Sequence, residues 1–243
     1  MKVFKIFRYP IKGMQSENLE KIKLFKESTI PEDRAYAIVR DSKNFPKTSK
    51  WMSKRHFLQG AISHALCQIN ADWNKNFVLF RFKNIKICVE RPIKESQKLL
   101  EIVEQAFGVE SRFQLSYLKT GFTDKKFPYL SLINMETVKE IAKYTNTLMA
   151  PERYRANLWI TNVPPFSELQ WIGKILTIGN LNFEVCEAIT RCSATDITWK
   201  NQIETDFVMR MKKYLDSDLC GLYLRAVNSG KLNAGDSVSI CDP

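Results

Sequence analysis

The residues best suited to chemistry lie in TRCSATDIT, from Thr190 to Thr198, where Cys192 follows a strand-like run beside Arg191, Thr190, Ser193 and Thr195. A guanidinium and hydroxyl donors next to a thiol favour the thiolate. A soft thiolate suits a soft metal or the acceptance of sulfur; a buried structural cysteine is the competing reading of the same residues. A second cluster, ERYRANLWI, spaces Arg153, Arg155 and Asn157 two residues apart. An extended backbone would turn all three to one side and offer planar forks to an anion, although a solvated strand face has the same spacing. Lys12 in YPIKG and Arg34 in PEDRAYAIV each place a cation at a turn beside a strand.

The elements that must position these residues follow from periodicity. From Val3 to Val39 the segments VFKIFRYPIK, IKLF and AYAIV read as short strands of an antiparallel, barrel-like start. Leu58, Ile62, Leu66 and Ile69 recur at helical spacing and predict one short helix, followed by a hairpin of FVLFRF and IKICVE. Amphipathic helices are predicted over KESQKLLEIVEQAFG, closed by Gly108, and over NMETVKEIAKYTN. The C-terminal half returns to strands in RANLWITN, in the hairpin WIGKILTIGNLNFEVCEAI and in LCGLYLRAVNSGKLNAGDSVSI, with a helix near ETDFVMRMKKYL.

Of the 243 residues 44% are apolar and 26% charged, with only 9 Gly and 9 Pro, which excludes disorder, collagen and low-complexity arrays. A balance of 37 Lys and Arg against 26 Asp and Glu leaves +11, which favours anionic partners: nucleic acid, lipid headgroups or a phosphorylated small molecule. Nucleic acid is not expected, because the aromatics interleaved with Lys and Arg in VFKIFRYP and FRFKNIK follow strand alternation and read as core. The six cysteines contain no CxxC pair, only His56 and His64 could serve a histidine-rich zinc centre, and no phosphate-binding glycine loop is present. No apolar run reaches the roughly 18 residues of a spanning helix, and Lys2, Lys5 and Arg8 interrupt any export signal. A cytoplasmic protein without a membrane span is the expectation.

Taken together, RYPIKG, PEDRAYAIV, RYRANLWI, WIGKILTIG, TRCSATDI and GLYLRAVNSGKLNAGDSVSI resemble, in order, the motifs of the MOSC domain family, named for the C-terminal domain of molybdenum cofactor sulfurase. The resemblance implies a β-rich α+β fold: a smaller N-terminal β-barrel-like domain over residues 1–95 and a MOSC β-barrel over 96–243, with inserted helices. It also implies a protein that binds the molybdenum–molybdopterin cofactor, similar to the amidoxime-reducing components, which reduce N-hydroxylated small molecules. By the same carry-over Cys192 is the molybdenum ligand and catalytic centre, Lys12, Arg34, Arg155 and Asn157 hold the anionic cofactor, and Thr190 stands beside the ligand. No ferredoxin-type cysteine cluster is present, so electrons are expected from a separate flavin or iron–sulfur donor protein. The sulfurase's aminotransferase-like domain is missing, so pyridoxal phosphate is not expected. A non-catalytic carrier of sulfur or of the cofactor is the alternative function. Three positions depart from the family pattern: Gly13 where a hydroxyl residue is usual, Glu32 for a glycine, and Ala156 for a proline.

Overall fold

Strand alternation and helix capping divide the chain into its elements, and the computed structural model describes them for residues 1–41, 45, 50–60, 64–94, 97–109, 113–198 and 202–241. The first strands are β1 (Lys2–Arg8), β2 (Glu17–Leu19), β3 (Lys21–Leu24) and β4 (Tyr36–Val39). After them come β5 (Asn70–Trp73), β6 (Phe77–Phe82), β7 (Ile85–Glu90), helix α1 (Gln97–Phe107) and β8 (Gln114–Tyr117). Next are β9 (Leu130–Asn134), α2 (Met135–Thr145), β10 (Leu158–Thr161), β11 (Ile175–Ile178), β12 (Leu181–Thr190), β13 (Ile197–Thr198) and β14 (Gln202–Ile203). Helix α3 (Phe207–Leu215) and strands β15 (Leu219–Ala226), β16 (Gly230–Asn233) and β17 (Val238–Cys241) close the order.

Two compact units emerge, and they interleave along the chain. The first takes Met1–Arg8, Asn18–Pro31 and Phe127–Pro243; the second takes Tyr9–Glu17 and Glu32–Lys126. A single boundary at 95/96 therefore does not separate them, because β1 and β3 pair with strands more than a hundred residues away.

In the first unit the sheet runs β17-β11-β12-β15-β9-β10-β1-β2. β10 with β1, β15 with β9, β12 with β15, and β11 with β12 and β17 pair antiparallel, whereas β9 and β10 are parallel and are joined through α2. Alternate positions on these strands, among them Ile6, Leu132, Leu158, Phe183, Val185, Leu222 and Leu224, fill one buried core. The sheet curls without becoming a closed barrel ladder. β1 meets the approach to β17 through the bridge of Lys2 with Ser237 and the hydrogen bonds Val3 N to Asp236 O and Gly235 N to Val3 O, both 2.9 Å, and the preceding Met1 carbonyl accepts from Val238 N at 3.1 Å. Helix α2 starts at Asn134, whose side chain accepts from Glu136 N at 3.1 Å, and ends at Asn146 in the left-handed region. Helix α3 packs beside α2 and turns Phe207 and Met211 inward.

In the second unit β4 pairs with β8, and β5, β6 and β7 form a meander whose Val78, Phe80 and Phe82 pack with Leu99, Ile102 and Val103 of α1. The helix expected over Leu58–Ile69 is only a 3₁₀ turn at His64–Gln68, with Ile62 outside the described residues. The backbone before Gly60 is spent on sheet contacts instead: Leu58 N donates to the Ile38 carbonyl at 2.8 Å and Phe57 bridges Val39. Glu95 and Ser96, at the start of the next expected helix, also lie outside the described residues. Among the described residues no helix is long and apolar enough to cross a membrane.

Candidate functional site: an anchored exposed thiol

Strand β12 delivers Cys192 because its alternation buries Leu181, Phe183, Val185 and Ile189 and leaves Thr190, paired with Leu219, exposed at its end. The next residue turns inward. Arg191 is buried, donating from Nε and Nη2 to the Cys220 carbonyl at 2.8 and 2.5 Å and from Nη1 to the Tyr154 carbonyl at 2.8 Å. Its guanidinium therefore clamps two backbone segments. Cys192 itself is exposed. Its carbonyl accepts from Thr195 N at 2.8 Å and from Thr195 Oγ1 at 2.7 Å, which winds Ser193–Asp196 into a 3₁₀ turn immediately after the cysteine in the chain.

Beneath the clamp, Cys220 is buried, and desolvation pushes its thiol up to about 12, so it stays protonated. Gly221 follows with φ +84°, where an added Cβ would run into the Leu132 carbonyl oxygen and come within 3.0 Å of Arg191 Nη2. Glycine is thus what lets β15 approach both β9 and the Arg191 clamp.

The arginine row does not form as the spacing predicts. Pro151–Tyr154 is a 3₁₀ helix and Arg155, its C-cap, has φ +51°, so the backbone is not extended and the alternation of sides is lost. Arg153 is 1% exposed, ion-paired with Glu204 and stacked with its Cζ 3.9 Å from the Phe207 ring centroid. It holds the start of α3. Arg155 is half-buried and adjoins Tyr154, the residue that Arg191 clamps, which brings Arg155, Thr190 and Cys192 onto neighbouring segments. Asn157 points into the fold. Its Nδ2 donates to the Phe7 carbonyl at 3.1 Å, and its Oδ1 accepts from Ser131 N and Oγ at 3.1 and 2.9 Å. Asn157 thereby stitches β1 and β9 to the start of β10.

The small polar stretch before α2 is structural as well. Asn134 Nδ2 and Thr137 Oγ1 both donate to Glu168 Oε2 at 2.9 Å. Glu168 is fully buried, its Oε1 has no hydrogen-bond partner, and desolvation raises its pKa.

Lys12 and Arg34 meet around a carboxylate in the second unit. Lys12 Nζ, almost buried, donates to Asp124 Oδ1 at 2.7 Å and to the Phe122 carbonyl at 2.9 Å. Arg34, at φ +53°, pairs with the buried Asp33 and lies 4.7 Å over the Tyr9 ring. Desolvation pulls the Arg34 guanidinium down, but the charges of Asp33, Asp124 and Tyr9 outweigh it and leave its pKa raised. Lys12 above all holds the Asp124 carboxyl well below its ordinary range. Gly13, the departure after Lys12, has φ +83°, and a Cβ there would lie 2.8 Å from Leu66 Cδ1, so backbone and packing both select glycine over a hydroxyl residue. Asp124, Glu204, Tyr154 and the clamping role of Arg191 went unseen in the sequence; only Asp124, in the turn GFTD, carried a local signal.

The fold recurs in a solved structure. The structure of the YuaD protein from Bacillus subtilis aligns over 100% of this chain and 96% of its own, with a TM-score of 0.51 at 13% identity. YiiM from Geobacillus stearothermophilus aligns over 46% of this chain and 54% of its own, with a TM-score of 0.38 at 13% identity. No curated protein matches the sequence. Residues 122–239, the stretch that carries the Arg191 clamp and Cys192, match the family model described as MOSC domain, a module of molybdenum-cofactor-associated proteins.

Proposed function

We propose that this chain holds a molybdenum–molybdopterin cofactor through Cys192 and acts as an oxidoreductase on N-hydroxylated small molecules, taking electrons from a separate donor protein. The observation that carries this reading is the exposed thiol of Cys192 on a floor fixed by Arg191, in the stretch that matches the MOSC domain. The donor set fits the group: a thiolate is a ligand that a soft, sulfur-bound metal takes, and Arg155 offers a planar cation on the adjoining segment for an anionic tail. When bound, the cofactor supplies two-electron redox chemistry with removal of an oxygen atom.

The chain's own residues hold and orient. Thr195 fixes the Cys192 carbonyl and so the direction in which the Sγ leaves the backbone. Arg191 ties the strand end to Tyr154 and Cys220, so that Cys192, Thr190 and Arg155 keep one spacing. Asn157 supports Arg155 from below through Ser131 and Phe7. Lys12 and Arg34 are already neutralised inside the second unit by Asp124 and Asp33, and the reading rests on the first unit.

The test is molybdenum and pterin content of protein purified from a host that makes the cofactor, native against Cys192→Ala. Stoichiometric molybdenum in the native chain, lost in the variant along with reduction of N-hydroxylated compounds by a supplied donor, is the expected result. Molybdenum retained in the variant overturns the ligand assignment. An empty native protein whose Cys192 accepts persulfide sulfur favours the carrier, a role that the thiol's exposure also permits.

A further inference from the structure

Strands β3 and β16 form a two-stranded ribbon with faces of opposite character. Ile22 and Leu232, paired across it, are buried in the first unit's core beside Leu24. On the other face Lys23 stands directly opposite Lys231, and Lys21 opposite Asn233, all exposed. Directly opposed side chains in an antiparallel pair have their Cβ atoms about 5 Å apart, so like charges placed there repel. Among the described residues none of Lys21, Lys23, Lys26 and Lys231 forms an ion pair with a carboxylate, Glu20 and Glu27 beside them included. The repulsion is left for something outside the chain to relieve.

At one end the ribbon runs into two turns held against each other, with Lys26 N donating to Ser229 Oγ at 2.8 Å and Glu27 N to the Ala226 carbonyl at 2.9 Å. Each turn presents an apolar side chain to solvent: Phe25 is 51% exposed and Val227 38%. Lys23 Nζ lies 5.3 Å from the centre of the Phe25 ring. A phenyl and an isopropyl group standing out from turns, with lysines behind them, match the interfacial layer of a bilayer. Apolar tips enter the boundary between headgroups and acyl chains while flexible lysine stems keep their ammonium groups among phosphates. Single-stranded nucleic acid fits less well, since it is held along a groove by successive stacking rings, and Val227 has none.

We infer that the exposed face of the β3–β16 ribbon, with the Phe25 and Val227 turns, docks this protein on an anionic lipid surface. The inference is independent of any cofactor. Its test is sedimentation of the full chain with vesicles of phosphatidylcholine alone and of phosphatidylcholine with phosphatidylserine, at low and moderate salt. Binding to the phosphatidylserine vesicles that weakens with salt is expected, falling roughly fivefold per lysine removed in Lys23→Gln/Lys231→Gln. Phe25→Ser, which changes no charge, is expected to weaken it as well. The pair Lys75→Gln/Lys86→Gln removes the same charge from exposed positions of the second unit and is expected to have the smaller effect. No vesicle binding, equal loss in the two lysine pairs, or an unchanged Phe25→Ser overturns the inference. Tighter binding of a single-stranded RNA oligonucleotide, lost with the ribbon lysines, overturns it in favour of a nucleic-acid surface.

Discussion

At the scale of single residues, burial decides role more than residue type does. Arg153, Arg191 and Asn157 have the chemistry of ligand-binding residues, yet each is spent inside the fold, on Glu204, on two carbonyls, and on Ser131 with Phe7. Glu168 shows what such burial costs. Desolvation raises its pKa, partly offset by the hydrogen bonds from Asn134 and Thr137. The folded chain thus keeps a proton that the unfolded chain releases near the ordinary glutamate value of about 4.3. Between that value and the raised one, stability falls as pH rises. Glu168→Gln keeps an oxygen to accept from Asn134 and Thr137 while removing the ionisable group. Urea unfolding across pH 4 to 8 should therefore show the variant gaining on the native protein as pH rises, by at most about 1.4 kcal/mol per pH unit. A constant difference across that range would assign the pH dependence to other groups.

At the scale of elements, the floor under Cys192 depends on backbones meeting where β9, β15 and the Tyr154 turn converge. Gly221→Ala places a methyl against the Leu132 carbonyl and the Arg191 guanidinium at a positive φ. A loss of about 3 kcal/mol is expected, read from the shift in denaturation midpoint, because neither the carbonyl nor the clamped guanidinium can yield freely. A loss below about 1 kcal/mol would mean that the floor is soft. The elements themselves were mostly legible. Strong periodicity gave α1, α2 and α3, and Asn134 and Gly108 marked ends correctly. The helix expected at Leu58–Ile69 failed because pairing with β4 claimed the backbone before Gly60, a tertiary contact with no trace in local spacing. The strand through Arg153 and Arg155 failed because Pro151 begins a 3₁₀ turn and Arg155 takes a left-handed conformation. For the site, TRCSATDI singled out Cys192 but left a buried structural cysteine open, and the fold exposes the residue. Its support came from Tyr154 and Cys220, 37 and 29 residues distant in sequence from Arg191, which only the fold brings near.

At the scale of the whole molecule, the stretch 122–239 that matches the MOSC domain is not a self-sufficient unit. Its β10 pairs with β1 and its β16 with β3, both from the first 31 residues. A fragment beginning at Phe122 would expose Leu158, Ile160 and Leu232 where β1 and β3 now cover them. Such a fragment should lack dispersed amide signals in a proton–nitrogen NMR spectrum, and addition of a peptide of residues 1–31 should restore part of them. A well-dispersed spectrum from the fragment alone would show that the N-terminal strands are accessories. The hydrogen bonds of Val3 with Gly235 and Asp236 bear on synthesis as well. Val3 is made more than two hundred residues before Gly235 and Asp236, so one edge of β1 waits unpaired while the intervening chain is synthesised, and that interval is when a chaperone matters most.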